Sequence, residues 1–364
     1  MAKSPTTKTS LTDRLLKAGK IQGTAILSQS VYFTESDLVR IGIPMMDVAL
    51  AGSIRAGGFV PGITTWAGPS KHFKTLFGLI QAAAYLRKYP EAKLVLYDSE
   101  FGSPLNYFTS VGIDPSQVIH VPILSIEQLR TEMSLHLEEI ERGDKIIMMI
   151  DSIGNLASNK EINDAKSGNE AADLTRAKVL KSLFRIITPH FKSKNINLIV
   201  INHTYQTMEM FSKTVLGGGS GNLYATDNLY FLGKQQDRET SGNKEILGYH
   251  FIINVDKSRF VKEKAKIPIT VRWEGGIQHY SGLFDLALEC GFVEQIAKGS
   301  YVAMDLSTGI VDKQEKGITE KKMMLDVDFW DALIEDERFN KYVEAKYRLP
   351  EEPLMVGKQS IEVS

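Results

Sequence analysis

The apolar residues of this chain follow two rhythms that change along its length. From about residue 60 to residue 202, short and almost continuously apolar runs alternate with longer runs of helical period. That is the pattern of strands buried on both faces of a parallel sheet and of the helices that cover them. Residues 63–67 read as a strand, 68–75 as a loop and Lys74–Lys88 as a helix. Lys93–Asp98 and Val118–Pro122 read as strands, 125–142 as a helix, 145–151 as a strand, 171–187 as a helix and 197–202 as a strand. After a glycine-rich stretch the spacing shortens, and 227–232, 249–255 and 267–273 read as a meander of strands without intervening helices. The fold class is therefore α/β: a mostly parallel sheet flanked by helices, with antiparallel strands appended.

The ends of the chain differ from this middle. Residues 11–18 predict a short amphipathic helix with Leu11, Leu15 and Leu16 on one side, and the apolar stretch 24–27 predicts an isolated strand that pairs outside its own domain. Near Leu286 the composition shifts, and helices are expected at 286–290 and 329–347. The domains expected are an N-terminal arm (1–32), a core (33–285) and a small C-terminal domain (286–364).

Composition narrows the class. With 364 residues, 43% hydrophobic and 24% charged, the chain has the make-up of a soluble globular protein with a large core. One cysteine, Cys290, excludes an internal disulfide framework and fits a reducing compartment. No apolar run reaches the roughly 18 residues of a membrane span, and the first twenty residues lack the apolar stretch of a secretory leader. The expectation is a cytoplasmic protein with no membrane partner. Net charge is −1, so any affinity for nucleic acid has to be local. It is local: Arg176, Lys178, Lys181, Arg185, Lys192 and Lys194 occur with no acidic residue among them, although a solvated helix face would look the same.

The clearest chemistry is the run Gly68, Pro69, Ser70, Lys71, His72, Phe73, Lys74, Thr75 between a strand and a helix. Such a loop turns backbone N–H groups and a helix N-terminus toward phosphates, its lysine toward the β and γ oxygens and its hydroxyl toward magnesium. Phe73 stands where a glycine is usual, which raises the question of how the backbone turns there. Asp151 ends one apolar strand, where it could hold magnesium, and Asp98 and Glu100 leave another. Ligands of parallel α/β sheets bind beyond the carboxyl ends of the strands, so these acids should meet the loop. Glu100 is then the candidate general base that polarises an attacking water. A strand-end Asp also caps helices, but three matching pieces favour a site for ATP and Mg2+.

In this order — phosphate loop, Tyr-Asp-Ser-Glu at 97–100, Ile-Asp-Ser at 150–152, Ile-Asn-His at 201–203, a glycine-rich loop, then Lys-x-Arg at 257–259 — the chain resembles the RecA superfamily of recombinases. Within it, stretches such as 43–47, 67–71 and 211–214 most resemble the UvsX-type recombinases of T-even-like bacteriophages, from about residue 11 to about 291. The resemblance implies a RecA-type P-loop ATPase core and a DNA-dependent ATPase. It implies a helical filament of identical chains on single-stranded DNA that exchanges strands with homologous double-stranded DNA in the cytoplasm of an infected bacterial host. A recombination mediator and a single-strand-binding protein are implied as partners.

By position, the resemblance also assigns roles. Tyr107 would stack on adenine, though spacing alone equally allows a core-facing tyrosine. His203 would sense the γ-phosphate beside Lys74 and Glu100. Lys257 and Arg259 would enter the neighbouring subunit's ATP site, where sequence alone reads an exposed basic hairpin. DNA would bind loops at about 159–173 and 204–222, through Arg176, Lys178, Tyr205, Met208, Phe211, Lys213, Gly217, Gly218 and Gly219. The arm would dock on the adjacent protomer. On the same fold the alternatives are a hexameric helicase-like ATPase and a non-catalytic, ATP-switched coat for single-stranded DNA.

Overall fold

The computed structural model describes residues 10–32, 38–58, 61–168, 175–206, 214–217, 220–239, 245–314 and 316–350. Two compact units form, residues 1–37 and 38–364. In the first, α1 (Leu11–Ala18) is capped by Ser10, whose side chain accepts from Asp13 N at 3.1 Å. The strand expected at 24–27 does not form; a 3-10 turn over Leu27–Gln29 takes its last residue instead. A strand exists only through a ladder partner, and the described residues of this chain supply none for it.

The second unit begins with α2 (Pro44–Ala51), β1 (Gly62–Gly68), α3 (Lys74–Lys88), β2 (Lys93–Asp98), α4 (Leu105–Ser110), β3 (Val118–Pro122), α5 (Ile126–Glu139) and β4 (Ile146–Asp151). It continues with α6 (Asn159–Ser167), α7 (Thr175–Lys194), β5 (Asn197–Gln206), β6 (Thr214–Leu216), α8 (Ser220–Ala225), β7 (Asn228–Arg238), β8 (Ile246–Lys257), β9 (Lys266–Arg272) and β10 (Gly276–Ile277). Last come α9 (Leu283–Glu289), the hairpin β11 (Val293–Ala297) and β12 (Ser300–Ala303), then α10 (Glu320–Met323), α11 (Val327–Glu335) and α12 (Glu337–Tyr347).

Among the described residues one sheet runs in the order β10-β9-β8-β7-β1-β5-β4-β2-β3, with β6 paired to β5. The strands from β7 through β3 are parallel, while β8 to β10 fold back antiparallel. This is the α/β class expected, with the appended meander in place. Period-2 alternation feeds two cores, one on each face of the sheet. Leu94, Leu96, Ile147, Met149, Ile199 and Ile201 join one cluster with Trp66, Phe77 and Phe251. Val95, Tyr97, Met148, Ile150, Leu198 and Val200 join the other with Leu183, Phe184 and Phe191. Trp330, Phe339 and Val343 belong to the first cluster, so the final segment shares the hydrophobic core of the sheet.

Three local departures have physical causes. Residues 159–167, expected within a loop, form α6 because Ser158 and Glu161 make a reciprocal capping box. The helix expected at 171–187 is observed from Thr175 and runs to Lys194, carrying Pro189 inside it. One helix at 329–347 becomes two, because Asp336 is extended (φ −72°, ψ 123°) and its carboxylate accepts from Arg338 N at 2.8 Å.

Candidate functional site

The carboxyl ends of β1, β5, β4 and β2 lie side by side, and Gly68, His203, Asp151 and Asp98 are found there. Gly68 is level with His203, and Asp98 with Asp151. Around them opens a cavity of about 460 Å³ lined by Ser70, Lys71, Phe73, Lys74, Thr75, Glu100, Tyr107, Asp151 and His203. It is also lined by Gly102, Ser103, Lys234, Tyr249 and Trp273, none of which the sequence had marked. Lys234 comes from β7 and Tyr249 from β8, and Trp273 follows β9. No local motif carries such residues, because only tertiary pairing brings β7, β8 and β9 to the loop.

The phosphate loop keeps its turn without the expected glycine. Phe73 has φ +54° and ψ 25°, in the left-handed region, at the cap of α3. Its ring packs edge-on against Phe251 at 5.4 Å and tilted against Tyr249 at 6.2 Å, so aromatic packing offsets the backbone cost of a side chain there. His72 Nδ1 lies 3.0 Å from Ser70 O. Lys234 donates from Nζ to Lys71 O at 2.8 Å and stands over the Tyr249 ring at 4.3 Å, bracing the loop from outside. Lys74 is buried and donates to Pro69 O at 3.0 Å; burial lowers its ammonium, against the pull of Glu100 and Asp151.

Three hydrogen bonds converge on one oxygen of Glu100. Its Oε1 accepts from Ser152 Oγ, from Asn155 Nδ2 at 2.9 Å and, at 2.8 Å, pairs with His203 Nε2. The His203 hydrogen bond, opposed by partial burial and reinforced by the Ser152 hydroxyl, holds the Glu100 carboxyl down to about 2. At neutral pH this carboxylate is charged, and it suits orienting a water more than removing its proton early. Asp98 turns inward instead, its Oδ1 accepting from Glu100 N at 3.0 Å and Phe101 N at 2.8 Å. That turn aims Glu100.

Thr75 and Asp151 could hold a divalent cation. Thr75 Oγ1 donates to Asp151 Oδ2 at 2.9 Å, and Asp151 Oδ1 is a buried oxygen with no partner among the described residues. Among the described residues no group of three or more acidic, histidine or cysteine side chains is placed to hold a metal ion by itself, so a cation here would take its remaining ligands from phosphate and water oxygens. Tyr107 also faces the cavity, its phenol pushed up to about 12 by burial and by the Asp151 charge.

Lys257 and Arg259 lie elsewhere. Lys257 is level with Leu229 on β7, and Arg259 Nε donates to Asp227 Oδ1 at 3.0 Å. Asp227 in turn accepts from Ile63 N at the start of β1, about 16 Å of strand away from Gly68. These two cations therefore sit at the opposite end of the sheet from their own chain's phosphate loop.

Of the residues expected at DNA, Met208, Phe211, Lys213, Gly218 and Gly219 lie outside the described residues. Lys178 and Tyr205 are exposed. Arg176 turns back onto its own chain, with Nε donating to Leu156 O at 2.8 Å and Nη2 to Gly154 O at 2.5 Å. Gly217 is packed at the head of β5: its N donates to His203 O at 2.8 Å and its carbonyl accepts from Asn202 Nδ2 at 3.0 Å.

Comparison with known proteins agrees with this architecture. A family model described as the C-terminal domain of the bacteriophage T4 recombination and repair protein matches residues 280–343. Over 341 residues the chain is 48% identical to the recombination and repair protein of Enterobacteria phage T4, covering 93% of this chain and 86% of that protein. With that identity over nearly its whole length, and with the sheet order and strand-end site described above, the chain belongs to the family of the T4 recombination and repair protein, the RecA-type UvsX recombinases.

Proposed function

We propose that this chain is an ATP-driven recombinase, which binds and hydrolyses ATP with Mg2+ between the phosphate loop 68–75 and the strand-end carboxylates. The observation that carries the reading is the convergence of Lys74, Thr75, Asp151 and the Glu100–His203 pair on one cavity at the carboxyl edge of the parallel sheet. Its volume, about 460 Å³, lies within the range of small-ligand sites. Lys74 neutralises phosphate charge from a buried position, and the first turn of α3 adds backbone N–H donors. Magnesium, held by Thr75 and Asp151, would supply charge neutralisation at the transferring phosphoryl group. Glu100 orients the attacking water, and the aromatic rings that line the cavity, Tyr107, Tyr249 and Trp273, offer surfaces for the base.

His203 lies near the carboxyl end of β5, which runs on to Gln206 and pairs there with β6, so the same hydrogen bond that fixes Glu100 links nucleotide state to the segment at 204–222. Exposed Lys178 and Tyr205 suit a single strand held by charge and stacking rather than by sequence, with affinity that falls as salt rises. Lys257 and Arg259, remote from their own site, suit contact with the nucleotide of the next subunit in a filament of identical chains. Homologous duplex DNA is then the second substrate, and a mediator and a single-strand-binding protein are the expected auxiliary partners. The host cell's cytoplasm is the expected compartment.

The test is ATP turnover with and without single-stranded DNA in wild type, Lys74→Ala and Glu100→Gln. DNA-stimulated turnover lost in both variants is the expected result. Turnover indifferent to DNA would instead favour a helicase-like ATPase on this fold. DNA binding without turnover would favour an ATP-switched coat protein.

A further inference from the structure

Asn155 is exposed, in the turn that follows β4, yet its side-chain amide donates to Glu100 Oε1 at 2.9 Å and lies 3.5 Å from His203 Nε2. Carbonyls around it turn to a single guanidinium. Arg176, the second residue of α7, donates to Gly154 O at 2.5 Å and Leu156 O at 2.8 Å, and approaches Ile153 O at 3.5 Å. The carbonyls flanking Asn155 on both sides thus point into one planar fork, a geometry a lysine ammonium does not reproduce. Gly154 itself is pressed against the end of β5: a methyl placed on it would come within 3.1 Å of His203 N and Asn202 Oδ1. A methyl on Gly217, where the second loop returns, would come within 3.2 Å of His203 O.

We propose that Asn155 is a positioning residue for Glu100 and that Arg176 acts through it, as a clamp on the 153–156 turn rather than as a phosphate contact. Glu100 is then held from two sides. His203 connects it to the second loop, and Asn155 with Arg176 connects it to the start of α7. The inference rests on the reading of Glu100 as the residue that orients the attacking water. Loss of a hydrogen bond to a charged group predicts about a tenfold fall in DNA-stimulated kcat for Asn155→Ala, with KM for ATP little changed.

The experiment measures steady-state ATP turnover on single-stranded DNA, and DNA affinity over a range of salt, for Asn155→Ala and Arg176→Lys. Glu100→Gln is measured beside them. Arg176→Lys keeps the positive charge and loses the fork. The expected result is a lower kcat with KM for ATP little changed in Asn155→Ala and Arg176→Lys, and an unchanged DNA affinity and salt slope in both. Wild-type turnover in Asn155→Ala overturns the proposal, and that substitution, at an exposed side chain, decides the matter even if Arg176→Lys fails to fold. Normal turnover in Arg176→Lys, with Arg176→Ala showing weaker DNA binding and a shallower salt slope, also overturns it and returns Arg176 to the phosphate contacts. Full turnover in Glu100→Gln alone would overturn the underlying assignment of Glu100 instead.

Discussion

Thr75 gives its hydroxyl hydrogen to Asp151 Oδ2 at 2.9 Å, across two strand positions of the sheet, and leaves Asp151 Oδ1 buried with no partner among the described residues. Burial raises this carboxyl to about 6, with the Thr75 hydrogen bond opposing the shift and the Glu100 charge adding to it. The folded, ligand-free chain therefore holds this proton more tightly than the unfolded chain does. Protonation stabilises the fold below the ordinary carboxyl range, and that stability is lost as pH rises through 6. Asp151→Asn cannot ionise. Urea unfolding without nucleotide should find it more stable than wild type by about 2 kcal/mol at pH 8 and by less at pH 5, even though magnesium-dependent turnover is lost. Equal stability at pH 8 would show that the charge is not strained.

Phe73 combines an unfavourable backbone with favourable packing, and the two can be separated. Phe73→Gly relieves the left-handed backbone but removes the ring from Phe251 and Tyr249, for a net loss of about 1–2 kcal/mol. Phe73→Ala removes the ring and keeps the strain, so it should be the less stable of the two by about 1 kcal/mol. Chemical denaturation of the three proteins checks the order Phe, Gly, Ala; alanine above glycine would contradict it.

Lys257 and Arg259 cannot reach the phosphate loop of their own chain, which makes complementation the informative assay. Lys74→Ala and Arg259→Ala should each be inactive alone. Mixed in equal amounts on single-stranded DNA, they should recover about a quarter of wild-type turnover, because one ordered pairing in four joins two intact halves of a site. No recovery in the mixture, with both proteins folded, would remove these cations from the neighbour's site.

The chain has three tryptophans, and two of them, Trp66 and Trp330, are fully buried in the core. Trp273 is 60% exposed and lines the cavity, edge-on to Tyr249 at 5.4 Å. ATP binding should change tryptophan emission through Trp273 alone, and Trp273→Phe should abolish the change. A nucleotide-dependent signal that survives the substitution would place the base elsewhere.

Much of this arrangement was legible in the residues. Lys74–Lys88, Lys93–Asp98 and Val118–Pro122 have the bounds the hydrophobic pattern predicts: β2 is buried on both faces and α3 opens directly after the phosphate loop, while β3, a half-exposed edge strand, is marked by its short apolar run alone. Asp151, Glu100, Thr75 and His203 were placed by the rule that parallel strands present their carboxyl ends to ligands. By contrast α2 went unread, since all eight of its residues are buried and it has no polar face to set a helical period. The capping box of Ser158 and Glu161 was present as Ser-x-x-Glu but lay within a polar stretch that looked like loop. Asn155 carries no local signal, and Arg176 reads locally as one of a basic run, because what each one touches is set by other parts of the fold.

Gly154, His203 and Gly217 meet so closely that a methyl on either glycine would lie 3.1 to 3.3 Å from its neighbours. A junction packed through side chains can absorb small displacements by changing rotamers. This one is largely backbone, since neither Gly154 nor Gly217 has a rotamer to change. A shift at either glycine is passed to the end of β5, so the linkage works like a gear train with little backlash, in which small displacements are transmitted more than dissipated.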